Sequence, residues 1–184
     1  MWKLGETSMQ HIIGLVPDDG LRNRIISFQK RWKGNQIVDI VEPHITVKAQ
    51  GGLSDGKEWL QAVSRACASF SPFTVRITKP SLFGEDVLYL AVESEAVYEI
   101  HNLLVSVISP GKDLLSEFFE DEKYTPHITL GMSSLGVSRD QIQDMMNSAE
   151  KEFSAEFAAD YLRIYREDNL GRYHMFRDVP LGSG

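Results

Sequence analysis

The tetrapeptide Pro-His-Ile-Thr occurs twice in this chain, as Pro43-His44-Ile45-Thr46 and as Pro126-His127-Ile128-Thr129. Each copy sits in the same context. The proline favours an extended approach, and an apolar residue follows (Val47, Leu130), so each copy reads as the start of a short strand. Alternate side chains of a strand share a face. His44 and Thr46 therefore point one way, with Lys48 next along, while Ile45, Val47 and Ala49 point into a core. His127 and Thr129 likewise share a face, and Ile128 and Leu130 go inward. A histidine and a threonine two apart are separated by about 6.5–7 Å along a strand. Two such strands set face to face would hold two imidazoles and two hydroxyls around a small anionic group.

The rest of the pattern supplies the scaffold. His11–Val16 reads as a first strand, followed by a helix over about 18–33 with Leu21, Ile25, Phe28 and Trp32 at helical spacing. After the first motif strand, roughly 43–49, a helix is expected over 56–70, with Asp55 and Glu58 in a capping arrangement. Phe73–Thr78 alternates as a strand, Pro80–Glu85 reads as a turn, and Val87–Val92 is apolar on both faces, as a central strand is. Glu95–Ile108 is a helix with Ser94 as its cap. Segment 112–123 is acidic and aromatic, reads as a helical turn followed by a loop, and is a candidate rim or lid. The second motif strand follows, then a loop over Gly131–Gly136. A helix over Arg139–Phe153 comes next, with Ser138 and Gln141 as a capping box. One long strand over Glu156–Arg166 and a last strand over Arg172–Arg177 complete the series. The expected fold is α+β, a single bilobed domain over 1–184 with interleaved repeats at roughly 35–95 and 120–180. Each of two pseudo-symmetric lobes is an antiparallel-type sheet backed by helices, and the two His-x-Thr strands line a central cleft.

Composition narrows the chemistry. A net charge of −7 over 184 residues argues against a broad basic face for extended duplex nucleic acid, though not against a small basic cleft acting on an RNA end. The single cysteine, Cys67, permits no intrachain disulfide and falls on the apolar face of its helix. Met1–Gln10 lacks the basic start and apolar run of a leader, and no apolar stretch approaches membrane-spanning length. A cytoplasmic location without membrane association is expected; oligomeric state is not legible. No metal or cofactor is called for, since a histidine and a threonine two apart are not a zinc pattern. Two histidines facing one group suit paired general acid–base catalysis near neutral pH, and two threonine hydroxyls can donate to non-bridging phosphoryl oxygens.

With these residues in view, the chain resembles the 2H phosphoesterase superfamily in its LigT-like or YjcG-like branch, the 2′-5′ RNA ligase family. The resemblance rests on His44-Ile45-Thr46-Val47 and His127-Ile128-Thr129-Leu130, and more weakly on the Tyr124-x-Pro126-His127 approach and the Tyr165-Arg166…Gly171-x-Tyr173 ending. It implies metal-independent hydrolysis of a cyclic phosphodiester or a 2′-5′ linkage, with a nucleotide or RNA terminus carrying a cyclic phosphate as partner. His44 would be the acid and His127 the base. The sequence leaves open ligation through the same groups, and a non-catalytic binder of nucleotide or RNA ends. Lys48 is a candidate phosphate contact, the alternative being a solvated strand residue; its counterpart after the second motif is Gly131. Tyr89, Tyr124, Tyr165 and Tyr173 are candidates to stack on a base or to be structural. Arg166, with Arg76 and Arg163, is a candidate to line the cleft or to be a surface charge. Tyr89, Tyr124 and Arg166 join Lys48 as the expected substrate-binding set.

Overall fold

The computed structural model describes residues 9–182; most of the stretch inspected for a leader, residues 1–8, lies outside them. Eight strands form two four-stranded sheets in which every pairing is antiparallel. The first sheet has the order β2-β1-β7-β8, with β1 at His11–Leu15, β2 at Ile45–Lys48, β7 at Tyr161–Glu167 and β8 at Tyr173–Pro180. The second has the order β5-β4-β3-β6, with β3 at Phe73–Phe83, β4 at Val87–Glu93, β5 at His127–Met132 and β6 at Ala155–Ala159. The two motif strands, β2 and β5, are thus equivalent edges of the two sheets, and they lie against each other.

Six helices cover the sheets: α1 (Asp19–Lys30), α2 (Ile37–Ile40), α3 (Trp59–Ala68), α4 (Glu95–Ile108), α5 (Lys112–Glu117) and α6 (Arg139–Glu152). Helix α1 starts where Asp18 accepts from the Leu21 N–H at 3.0 Å. Its Leu21, Ile25 and Phe28 are buried in the main core with the inner faces of both sheets. Helix α6 carries the expected reciprocal capping box of Ser138 and Gln141. Helix α4 has the expected bounds, but Ser94 makes no side-chain capping bond. Helix α3 begins later than the sequence pattern predicts. Lys57 just before it adopts a left-handed backbone (φ 59°), which a helix cannot include, and no side-chain cap forms at Glu58.

Three other differences have physical causes. Strand β3 runs on to Phe83 through Pro80, where a turn was expected. Proline is tolerated there because β6 pairs only with Phe73–Ile77, and a register shift against β4 falls between Ile77 and Pro80. The single long strand expected over 156–166 is two strands in different sheets. The chain crosses between them at Asp160, whose carbonyl accepts from the Leu181 N–H at 2.8 Å. Helix α2 is a single turn, too short to leave a periodic signature.

Inward parity of the motif strands is as expected. Ile45, Val47, Ile128 and Leu130 are all fully buried in the core. Ala49, expected inward, instead lines a cavity just beyond the end of β2. Beside the motif, Gly14 of β1 sits opposite Thr46, and a Cβ there would lie 3.0 Å from Cδ2 of His44. That glycine lets the imidazole lie close over its neighbouring strand.

Candidate active site

Both histidines are oriented by their own chains. The His44 Nδ1 lies 2.9 Å from the carbonyl of Glu42, and the His127 Nδ1 lies 2.7 Å from the carbonyl of Thr125. A carbonyl oxygen only accepts, so each Nδ1 carries a proton and each neutral ring presents an unprotonated Nε2. The proline between each carbonyl and its histidine fixes the extended step that makes this contact. Thr46 Oγ1 donates to His44 Nε2 at 3.0 Å. His127 Nε2 has no protein hydrogen-bond partner among the described residues.

Two hollows meet at this pair. A wide cavity of about 580 Å³ is lined by Thr46, His127 and Thr129 together with Phe83, Phe118 and Tyr124. A narrow one of about 50 Å³ lies on the other side, lined by Gln29, Glu42 and Pro43, both histidines and both threonines. Thr46, His127 and Thr129 border both hollows, so the two open onto a common point between β2 and β5.

Burial lowers the pKa of both imidazoles below the ordinary histidine value. For His44 the hydrogen bond to Glu42 opposes this, proximity to His127 adds to it, and the Glu42 carboxylate again opposes it. For His127 only the Thr125 carbonyl opposes it. The two environments therefore differ: only His44 has a carboxylate that favours its imidazolium. Glu42 is itself held, accepting from Tyr165 at 2.9 Å and from Arg163 at 2.7 Å. The Tyr165 ring packs 5.3 Å from that of His44, and burial followed by Glu42 raises its phenol well above the usual range, so it stays a donor. His127 stands edge-on to Phe83 and Tyr89, whose rings stack at 4.1 Å.

The structure brings His44, Thr46, His127, Thr129 and Tyr124 to the two hollows, but not the rest of the expected set. Lys48 is fully buried and lines neither hollow. Its Nζ donates to the carbonyls of Ala49 and Gly51 and to Glu120 Oε2, each within 2.9 Å. A phosphate contact is thus replaced by an internal ion pair, because Glu120, arriving from the segment after α5, covers the end of β2. Tyr89 is buried behind His127 and supports that ring. Arg166 lies over Phe176 and borders a separate surface hollow with Asp168 and His174. Strand alternation turns Arg166 away from the face that Tyr165 shares with His44. Tyr165 and Tyr173 line neither hollow: Tyr165 donates to Glu42, and the Tyr173 hydroxyl accepts from Gln50 at 3.0 Å. Arg163 serves Glu42 and Asp178, and Arg76 is an exposed partner of Glu156.

Tyr124 has two tasks. Its hydroxyl donates to the Thr46 carbonyl at 2.8 Å, and its ring stacks at 3.6 Å on His101, a residue to which the sequence assigns no role. His101 spans the Val47 and Glu120 carbonyls, at 3.0 and 3.1 Å. The candidate rim is therefore pinned to the motif strand through Glu120, and Phe118, Phe119 and Lys123 from it line the wide cavity. Gln29 also escapes the sequence reading, and Glu42, the carboxylate beside the first motif, is given no role by it. Gln29 carries a signal in hindsight, as a polar residue four positions after Ile25 on the apolar stripe of α1. Among the described residues no group of three or more histidine, cysteine, aspartate or glutamate side chains is arranged to hold a metal ion, and no helix is long and apolar enough to cross a membrane.

Comparison with known proteins agrees with this geometry. The family model described as the 2′-5′ RNA ligase superfamily matches residues 17–171. No curated protein matches the chain. Among solved structures, TT0787 of Thermus thermophilus superposes with a TM-score of 0.65 at 16% identity, covering 95% of this chain and 100% of its own. E. coli LigT solved with NADP+ gives 0.65 at 16% identity over 96% of this chain and 99% of that one. The same protein solved with 3′-AMP gives 0.61 at 16% identity over 95% and 99%. Paired His-x-Thr strands at equivalent sheet edges and the fold of E. coli LigT accord with the family match over residues 17–171, and the chain belongs to the 2′-5′ RNA ligase superfamily.

Proposed function

We propose that the chain is a metal-independent phosphodiesterase that hydrolyses a 2′,3′-cyclic phosphate, on a nucleotide or an RNA end, or a 2′-5′ linkage. The observation that carries this is the pair of imidazoles with fixed tautomers, each Nδ1 committed to a carbonyl, beside two threonine hydroxyls at one point between the sheets. One neutral Nε2 accepts a proton from the nucleophile while the other, protonated, delivers one to the leaving oxygen. The carboxylate of Glu42 favours the imidazolium at His44, which supports His44 as the acid and His127 as the base. Thr46 is free to turn from His44 Nε2 to a phosphoryl oxygen once His44 is protonated, because the imidazolium no longer accepts.

The wide cavity favours a substrate whose organic part is flat and weakly polar. Phe83, Phe118, Phe119 and Tyr124 line it, and among the described residues Lys123 is its one cationic side chain. Aromatic walls suit a nucleobase, and a single cation suits one phosphodiester charge better than a long phosphate backbone. E. coli LigT, the same fold, has been solved with 3′-AMP and with NADP+. The test is turnover of 2′,3′-cyclic nucleotides carrying each of the four bases, in excess chelator, with the product phosphate assigned by phosphorus NMR. Conversion to a single phosphomonoester isomer is expected. An absolute requirement for a divalent ion would contradict the mechanism. Tight binding without turnover would favour the binding reading, and 2′-5′ joining of RNA ends without hydrolysis would favour ligation.

A further inference from the structure

A buried hydrogen-bonding group on a residue that lines the narrow hollow finds no partner among the described residues. Gln29 of α1 is 1% exposed and lines that hollow. Its Nε2 donates to the Thr129 carbonyl at 3.0 Å, which fixes the amide's orientation. The other end, Oε1, is buried and has no partner. A buried amide oxygen left unpaired is destabilising, so a polar hydrogen should meet it in the working molecule. The hollow, of about 50 Å³ and lined by Gln29, His44 and His127 with apolar neighbours, has room for a water.

We propose that Gln29 holds the attacking water, its Oε1 accepting one water hydrogen while His127 Nε2 faces the other. This rests on the phosphodiesterase reading above. In the step, a lone pair of the water oxygen forms the new P–O bond and the bond from phosphorus to the leaving ribose oxygen breaks. The water proton facing His127 passes to its Nε2, and the His44 Nε2 proton passes to the leaving oxygen. Gln29 exchanges no proton. It is anchored on Thr129, two residues from His127 in the same strand, so the base and the water-holding amide keep a common reference. The same anchor gives Gln29 an alternative role that is purely structural, satisfying the free edge of β5.

The two roles separate when water competes with an alcohol. Methanol has one O–H, which His127 needs, so its methyl group would meet Oε1. Gln29 thus favours water over methanol, whereas an edge-covering side chain has no such preference. The experiment is turnover of 2′,3′-cyclic nucleotide in aqueous methanol, with monoester and methyl diester products counted in one sample. Their ratio does not depend on how much of a variant is folded. Gln29→Met is expected to lower the monoester-to-methyl-ester ratio about tenfold, the size of one lost hydrogen bond. Gln29→Glu keeps an acceptor but, when ionised, loses the donor to Thr129, so its ratio is expected to fall clearly less than that of Gln29→Met. An unchanged ratio in Gln29→Met, or an equal fall in both variants, overturns the assignment while leaving the phosphodiesterase reading intact. Formation of neither product by the wild type overturns both.

Discussion

Alanine at either His44 or His127 is expected to lower kcat/KM for a cyclic phosphodiester by about 10²–10⁴-fold, the usual contribution of a positioned acid or base. Melting temperature should stay close to wild type, because each ring borders a cavity and its removal opens no sealed core space. In the proposed mechanism the two groups act in one step, so the double variant should be little worse than the poorer single one. A steady-state comparison of the three variants checks this. Additive losses would mean that the histidines act in separate steps, and a loss confined to one of them would remove the paired mechanism. The two singles should also differ. Only His44 has a carboxylate supporting its charged form, so Glu42→Gln is expected to imitate a weakened His44 and to leave His127 untouched.

Lys48→Met is expected to cost about 3–5 kcal/mol of folding stability, the effect of leaving one partner of a buried ion pair without its counter-charge. Both side chains are sealed from solvent, at 0% and 2% exposure. Burial lowers the Lys48 pKa and the bond to Glu120 opposes that shift, while the three acceptors around Nζ match the three hydrogens of an ammonium. Without the ammonium, the Glu120 carboxylate retains the Ala49 N–H at 2.7 Å but loses its charge partner. The double change Lys48→Met with Glu120→Gln should recover most of the loss, since a neutral amide can still accept from Ala49. Urea unfolding midpoints measure both. A phosphate-contacting lysine would give the opposite pattern: a raised KM, unchanged stability, and no rescue by the change at Glu120.

These two sites show what the sequence could and could not reveal. His44, Thr46, His127 and Thr129 were legible because strand parity and the preceding proline are local, and local rules set which way those side chains point. The Ser138–Gln141 box and the bounds of α4 were legible for the same reason. Lys48 was misread because parity sets direction and not cover: its direction follows from Thr46, but its environment is decided by Glu120, 72 positions later. Arg166 is a candidate for the cleft on sequence, yet alternation in β7 puts it on the face opposite Tyr165. The long strand over 156–166 hid a change of sheet at Asp160, since apolar alternation does not say which neighbour a strand will pair with. Gln29 reaches the site only through the docking of α1 on β5, and the Glu42 carboxylate is held there by Arg163 and Tyr165 of β7, more than 120 positions away.

The central claim is that one imidazole must be charged and the other neutral at the same moment. The pH profile of kcat/KM in excess chelator tests this most directly. Burial lowers both histidines below their ordinary value of 6.5, and proximity lowers His44 further, so the pair titrates in two steps, both on the acid side of that value. The singly protonated pair is then most abundant below pH 6.5. As pH falls, the base gains a proton and the rate drops; as pH rises, the acid loses its proton and the rate drops again. A bell centred below pH 6.5 is therefore predicted for kcat/KM, with the maximum of kcat displaced upward because bound phosphate favours the imidazolium. A kcat/KM that climbs to a plateau and stays level to about pH 9 would show that no imidazolium is needed, and would contradict the account.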